Sequence, residues 1–161
     1  SNPAFVNYQI MGVYDDSLTR PLAEVLMNLG LKGAMVLHGH GGLDELSLSG
    51  PNHIAFLKNG EIREFYLSPE DVGLKRAPLS SLLAYSPQEN AKIALEIVNG
   101  KERGPKRDVV ALNAGAAFLV TGTVKNFSDG VQFALQVIDK GLAADTLYRI
   151  VKFTNSIGEA A

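Results

Sequence analysis

The chain has no cysteine among its 161 residues. Disulfides, thiolate metal sites and cysteine nucleophiles are therefore excluded. The same absence fits a cytoplasmic protein. There is no surplus of positive charge. Lysine plus arginine number 15 against 17 acidic residues, a formal net charge of −2. A general binder of nucleic acid or of anionic membranes needs the opposite balance. The longest predominantly apolar stretch, positions 109–120, falls short of the roughly 20 residues that span a bilayer. No signal peptide is expected, because Ser1-Asn2-Pro3-Ala4 lacks a basic segment and an apolar one. Three motifs are missing as well: Gly-x-Ser-x-Gly, the Walker loop and Gly-x-Gly-x-x-Gly. What remains is ordinary globular composition. Hydrophobic residues at 46% and charged residues at 20% exclude wholesale disorder. The length sets one domain, or a piece of one, with a sizeable core.

The periodicity predicts a βαβ unit at the start. Positions 8–14 read as a buried strand, followed by Asp15-Asp16-Ser17 as helix-capping oxygens. Leu18, Leu22, Val25, Leu26 and Leu29 recur at helical spacing, Pro21 lies within a turn of the helix start, and Gly30 closes it. A second strand follows at Ala34-Met35-Val36-Leu37. Positions 54–58 and 61–67 flank Asn59-Gly60, the strongest short hairpin signal. Ser68-Pro69-Glu70-Asp71 reads as a capped turn ended by Gly73. Ser86-Pro87-Gln88-Glu89 opens a helix to about position 99. Positions 108–121 are apolar nearly all round, which predicts nearly complete burial. Amphipathic helices are expected over 128–140 and 142–154, with fraying over 156–161. The fold class is therefore α/β: a mainly parallel sheet with a β-hairpin insertion and C-terminal helices.

Four features of this chain bear chemistry. Asp44-Glu45 ends a glycine-rich turn after the second strand, and ligands of open α/β sheets bind beyond the carboxyl ends of strands. Two adjacent carboxylates suit a hydrated hard cation such as magnesium, which keeps waters and takes few protein ligands. Read alone, the doublet is weak evidence, since many loops carry such a pair by chance and solvated surface acids are the commoner case. His38-x-His40 lacks the third ligand that zinc requires. The expected places are a locally bonded ring for His38 and an exposed one for His40. An oxyanion-loop reading of 38–42 fails for want of a nucleophile elbow. Lys101, Arg103, Lys106 and Arg107 could hold phosphate, but Gly104-Pro105 marks a solvated inter-helix loop.

The run Val36-Leu37-His38-Gly39-x-Gly41-Gly42-Leu43-Asp44-Glu45-Leu46-Ser47 resembles the glycine-acid signature of the anthranilate phosphoribosyltransferase family. That family serves tryptophan biosynthesis and shares its fold superfamily with nucleoside phosphorylases. Ser49-Gly50-Pro51, the segment from Ser68 through Leu74, Gly104-Pro105-x-Arg107-Asp108 and Leu112-Asn113-Ala114 match it in the same order. The resemblance runs from Asn2 to about Phe153.

The resemblance implies a pentosyltransferase of the cytoplasm. Its substrates would be phosphoribosyl pyrophosphate and anthranilate, and Asp44 and Glu45 would hold Mg2+ on the pyrophosphate. It implies further that residues 1–161 form one partial α/β domain, the C-terminal part of the family's large domain. The chain opens within the family's Gly-Pro-Leu-x-Asn-Pro motif, keeping Ser1-Asn2-Pro3. The N-terminal helical domain, the phosphoribosyl-pyrophosphate loop and the usual dimer contacts would precede it. His40-Gly41 stands where an acidic pair is usual. The isolated chain is accordingly expected to be inactive and prone to self-association. Neither nucleic acid nor membrane is an expected partner. The alternatives are a non-catalytic module of the same fold and a related phosphoribosyl- or nucleoside-processing enzyme with another aromatic acceptor.

Overall fold

The expected βαβ unit is present as β1 (Tyr8–Gly12), α1 (Thr19–Asn28) and β2 (Gly33–His38), in a computed structural model that describes residues 6–158. The motif remnant Ser1-Asn2-Pro3 and positions 159–161 of the expected frayed end lie outside the described residues. Asp15 accepts the Ser17 N–H at 2.9 Å and so caps the turn into α1. The Ser17 hydroxyl bonds the same oxygen at 2.7 Å, and together these bonds hold the Asp15 carboxyl below its usual range.

The hairpin forms as β3 (Asn52–Lys58) and β4 (Glu61–Leu67). Asn59 and Gly60 both take positive φ, +54° and +78°, as a tight hairpin turn matched to strand twist requires. This hairpin corrects the sheet expectation. The strand order is β1-β2-β3-β4, and only β1 and β2 pair in parallel. β2–β3 and β3–β4 are antiparallel, so the hairpin is half of a mixed sheet and not an insertion into a parallel one. β1 is also not a buried strand. It lies at the edge of the described sheet, with Tyr8 and Ile10 exposed.

β2, like β3, meets core on both faces. Ala34 and Val36 join Ala23 and Leu26 of α1 on one side. Met35 and Leu37 face the other side. That side is closed by α3 (Pro105–Val120) and α4 (Phe127–Asp139) through Leu112, Ala116, Phe127 and Val131. The run of apolar residues in β2 therefore marks a central strand, as fully buried strands do in parallel or mixed sheets.

α2 (Pro87–Val98) starts where Ser86 accepts the Glu89 N–H at 3.1 Å. α3 is less enclosed than its composition predicts: Val110 is 43% exposed. α4 is capped by Asn126, two residues before the expected start. α5 (Leu142–Gly158) stays helical through 156–158, where fraying is expected. It also leaves large apolar groups in solvent, with Tyr148 68% and Phe153 64% exposed. Such a face favours association, so the purified 161-residue chain should self-associate. Light scattering that shows a clean monomer at high concentration would contradict this.

Asp108 lies in the first turn of α3. Burial raises its carboxyl above the ordinary 3.8; Arg107 opposes the rise and Glu102 adds to it. Folding thus favours the protonated acid. That contribution is fully present below the unfolded value and is lost as pH rises through the folded one. Asp108→Asn should therefore gain stability relative to the parent as pH rises from about 3 to 7. Urea melts across that range read the difference, and a flat line would exclude burial as the cause.

Among the described residues no helix is long and apolar enough to cross a membrane.

Candidate functional site

The glycine-rich segment after β2 closes on itself before it reaches the acidic pair. The Gly39 N–H donates to the Leu43 carbonyl at 2.7 Å. The Gly42 and Leu43 N–H groups return to the Gly39 carbonyl at 3.1 and 3.2 Å. Gly41 and Gly42 take φ of +90° and +83° within this turn, values that only glycine adopts without strain. The turn delivers Asp44 and Glu45 beyond the carboxyl ends of β1 and β2, where the sequence places a ligand site.

Two glycines then seat the doublet's backbone. A Cβ on Gly12, the last residue of β1, would overlap the Asp44 carbonyl oxygen. A Cβ on Gly39 would overlap the Glu45 carbonyl oxygen. Each carbonyl therefore rests directly on a glycine Cα. Both acidic side chains are exposed. Among the described residues neither carboxylate is ion-paired to a protein cation. An open pocket of about 530 Å³ lies on the Asp44 side, lined in part by Gly12, Val13, Tyr14, Leu18, Leu22 and Asp44.

After the doublet the chain dives inward, and Leu46, Ser47 and Leu48 are fully buried. Two asparagines meet it there. Asn113, on α3, accepts the Leu46 N–H at 3.0 Å and donates to the Leu46 carbonyl at 2.9 Å. Asn52, at the start of β3, accepts the Ser47 N–H at 2.6 Å and donates to the Ser47 carbonyl at 3.1 Å. Asn52 also donates to the Gly50 and Leu67 carbonyls at 3.3 and 2.9 Å, which ties the loop to the sheet. Sequence reasoning assigns no role to Asn52, Asn113 or Gly12, although Asn113 lies in the matched stretch Leu112-Asn113-Ala114. The available signals are a polar residue in an otherwise apolar helix and a glycine ending a strand.

The two histidines of the loop part company. His38 donates from Nδ1 to the Val13 carbonyl at 3.0 Å. His40 is exposed, with Nδ1 2.8 Å from the Ser49 hydroxyl. The exposure of His40 agrees with expectation, whereas the partner of His38 lies 25 positions away on the β1 side and is not a local one. Among the described residues, no group of three or more His, Cys, Asp or Glu side chains could hold a metal. A cation at the doublet would thus draw its remaining ligands from water or from a bound anion, the usual habit of magnesium.

The cationic segment is a solvated inter-helix loop only in part: Lys101 and Arg103 are exposed between α2 and α3, whereas Lys106 and Arg107 belong to α3. Arg107 is only 8% exposed, within the first turn of α3, and its Nη2 lies 2.9 Å from both carboxylate oxygens of Asp139. Arg103 reaches the same carboxylate at 3.3 Å, and Lys106 donates to the Leu83 carbonyl at 2.9 Å. Lys106 and Arg107 therefore tie α3 to its neighbours, and Arg103 ties the preceding loop to α4.

Residues 1–144 match the glycosyl transferase family, a/b domain. The anthranilate phosphoribosyltransferase of Petrotoga mobilis is 49% identical over 155 residues, which are 96% of this chain and 45% of that protein. That of Ruminiclostridium cellulolyticum is 45% identical over 159 residues, 99% of this chain and 46% of that protein. The chain thus spans about half the length of these relatives. The crystal structure of the Thermus thermophilus enzyme superposes with a TM-score of 0.81 at 42% identity, over 88% of this chain and 41% of that one. The Saccharomyces cerevisiae enzyme in complex with phosphoribosyl pyrophosphate and magnesium superposes with a TM-score of 0.84 at 27% identity, over 93% and 43%. By fold, by sequence over nearly its whole length and by the glycine-acid turn, the chain belongs to the glycosyl transferase family, and within it resembles the anthranilate phosphoribosyltransferases.

Proposed function

We propose that this chain is the metal-holding C-terminal half of an anthranilate phosphoribosyltransferase. The complete protein would transfer the phosphoribosyl group of phosphoribosyl pyrophosphate to the amine of anthranilate and release pyrophosphate. Residues 1–161 would form a single α/β unit that continues the family's large domain. One observation carries the reading: Asp44 and Glu45 stand exposed on a turn fixed by backbone contacts, with Asp44 lining an open pocket.

The donor set fits magnesium. Two carboxylates without a protein cation leave room for waters and phosphate oxygens, the shell that magnesium prefers. Asp44 and Glu45 would hold it, and it would supply charge neutralisation on the pyrophosphate leaving group. The chain's own part is placement. The anthranilate nitrogen bonds to the anomeric carbon as that carbon's bond to the pyrophosphate oxygen breaks. The bonding electrons leave with pyrophosphate, and the nitrogen then loses a proton. No covalent attachment to the protein is needed, so rate enhancement rests on positioning and charge stabilisation.

The complete protein should release pyrophosphate from phosphoribosyl pyrophosphate only with both magnesium and anthranilate present. The 161-residue chain alone should release none. Equal or faster turnover with another aromatic acceptor would replace the substrate reading. Enzyme-like turnover by the isolated chain would overturn the reading of it as half of a site.

A further inference from the structure

Leu46 and Ser47 pose a pairing problem. Both are fully buried, and both lie outside any helix or strand. Buried backbone N–H and C=O groups need partners, and no ladder supplies them here. Two carboxamides do so instead, Asn113 for Leu46 and Asn52 for Ser47. A carboxamide presents a donor and an acceptor side by side, so each asparagine pairs with one residue as a strand neighbour would.

The geometry points to Asn113 as a positioning residue for the metal-binding doublet, an inference that rests on the reading of Asp44 and Glu45 above. The peptide that joins Glu45 to Leu46 has two polar ends. Its N–H is held by Asn113 Oδ1 at 3.0 Å. Its carbonyl oxygen lies against Gly39, where no Cβ fits. With both ends gripped, the plane of that peptide cannot turn, and the direction in which the Glu45 side chain leaves the backbone is set. Asn113 is itself locked. Its Nδ2 donates to the Leu46 carbonyl at 2.9 Å and to the Val109 carbonyl, one helical turn back, at 3.0 Å. Its Oδ1 and both of its N–H groups are thus engaged. α3 packs on the sheet through Ala111, Leu112 and Ala116, so the grip on the doublet is referred to the core and not to the loop. Asn113 touches neither metal nor substrate in this role; it acts through Glu45.

The test uses the complete protein. Manganese(II) is titrated in the presence of phosphoribosyl pyrophosphate, and free ion is read by electron paramagnetic resonance. Asn113→Ala should weaken manganese binding about tenfold or more, the usual loss when a group that orients a metal ligand is removed. Asn113→Asp keeps the acceptor for the Leu46 N–H and loses both donors; it is measured in the same way and serves if the alanine variant does not fold. Leu26→Ala is the stability control. It opens a cavity under α1, on the other face of the sheet, and should lower the melting temperature with no change in manganese affinity. Weakened binding in the Asn113 variants alone supports the assignment. Unchanged binding in them, while Asp44→Asn and Glu45→Gln do weaken it, overturns the role of Asn113 and leaves the doublet standing. Equal weakening in Leu26→Ala also overturns it, because the effect then follows stability. If the Asp44 and Glu45 variants bind manganese as the parent does, the reading of the doublet fails and this role with it.

Discussion

Gly12→Ala should cost the complete protein about 3 kcal/mol of stability, the upper end of ordinary overpacking, and about a hundredfold in rate. The added Cβ meets the Asp44 carbonyl oxygen and, behind it, the rest of that peptide. A flexible side chain could swing aside. A backbone carbonyl moves only if the segment that carries it moves, and here that segment carries the acidic doublet. Gly12 cannot retreat either, because β1 is tied to β2 in parallel register from Tyr8↔Gly33 to Gly12↔Leu37. Val13 beyond it donates to the Leu37 carbonyl at 2.9 Å. The strain therefore falls on Asp44. A displacement near 1 Å suffices for a hundredfold loss when positioning carries the rate. Urea denaturation reads the first effect and single-turnover kinetics the second. A variant with parental stability and rate would show that the loop yields freely and that the carbonyl–glycine contact fixes nothing.

Gly12→Ala also marks the limit of what the sequence discloses. Local chemistry is legible. The Asp15 cap, the Asn59-Gly60 turn and the Ser68 and Ser86 starts form where their residues predict. The reason is that each involves groups within a few residues of one another, and side-chain preferences there act with little competition. The place of the doublet is legible for the same reason, since a glycine-rich turn after a strand is a local pattern, but its metal role is implied by the family resemblance and not by the pair itself.

Partnerships between distant residues are not legible. Asn113 and Leu46 are separated by 67 positions, and an asparagine inside an apolar helix does not announce which buried peptide it will meet. Gly12 reads as the end of a strand and not as a seat for Asp44. The sheet shows the same limit. The apolar run of β2 requires cover on both faces, a demand that a parallel sheet and the centre of a mixed one meet equally well. The sequence identifies the hairpin but not its attachment, and β3 pairs directly with β2 over Gly33↔Lys58 to His38↔His53. β1 has no second neighbour among the described residues, and Tyr8 and Ile10 are exposed there where a buried strand is expected. The buried arginine is a further case. Arg107 lies in a segment whose composition predicts solvent, and its burial depends on Asp139 arriving from α4, 32 positions later.

Neutralising the doublet should give the largest loss of function. In the complete protein, Asp44→Asn and Glu45→Gln should each raise the magnesium concentration needed for half-maximal rate. The expected rise is at least the ten- to hundredfold typical of groups that merely orient metal ligands, because these side chains would be ligands themselves. Both substitutions keep side-chain size and a hydrogen-bonding oxygen, and both side chains are exposed. Stability should therefore change little, within about 0.5 kcal/mol, which separates this prediction from the loss at Gly12. The two effects should not simply add, since the carboxylates would share one ion and each variant leaves the other in place. The direction of rescue decides the mechanism. If the carboxylates hold magnesium, higher magnesium restores much of the rate in each single variant, and the double variant needs the most. If they act instead by repelling or orienting the anionic substrate, half-saturation by magnesium stays at the parental value. Phosphoribosyl pyrophosphate affinity or turnover then shifts alone. A magnesium titration at saturating anthranilate distinguishes the two, and an unchanged midpoint in all three variants would remove Asp44 and Glu45 from the metal site.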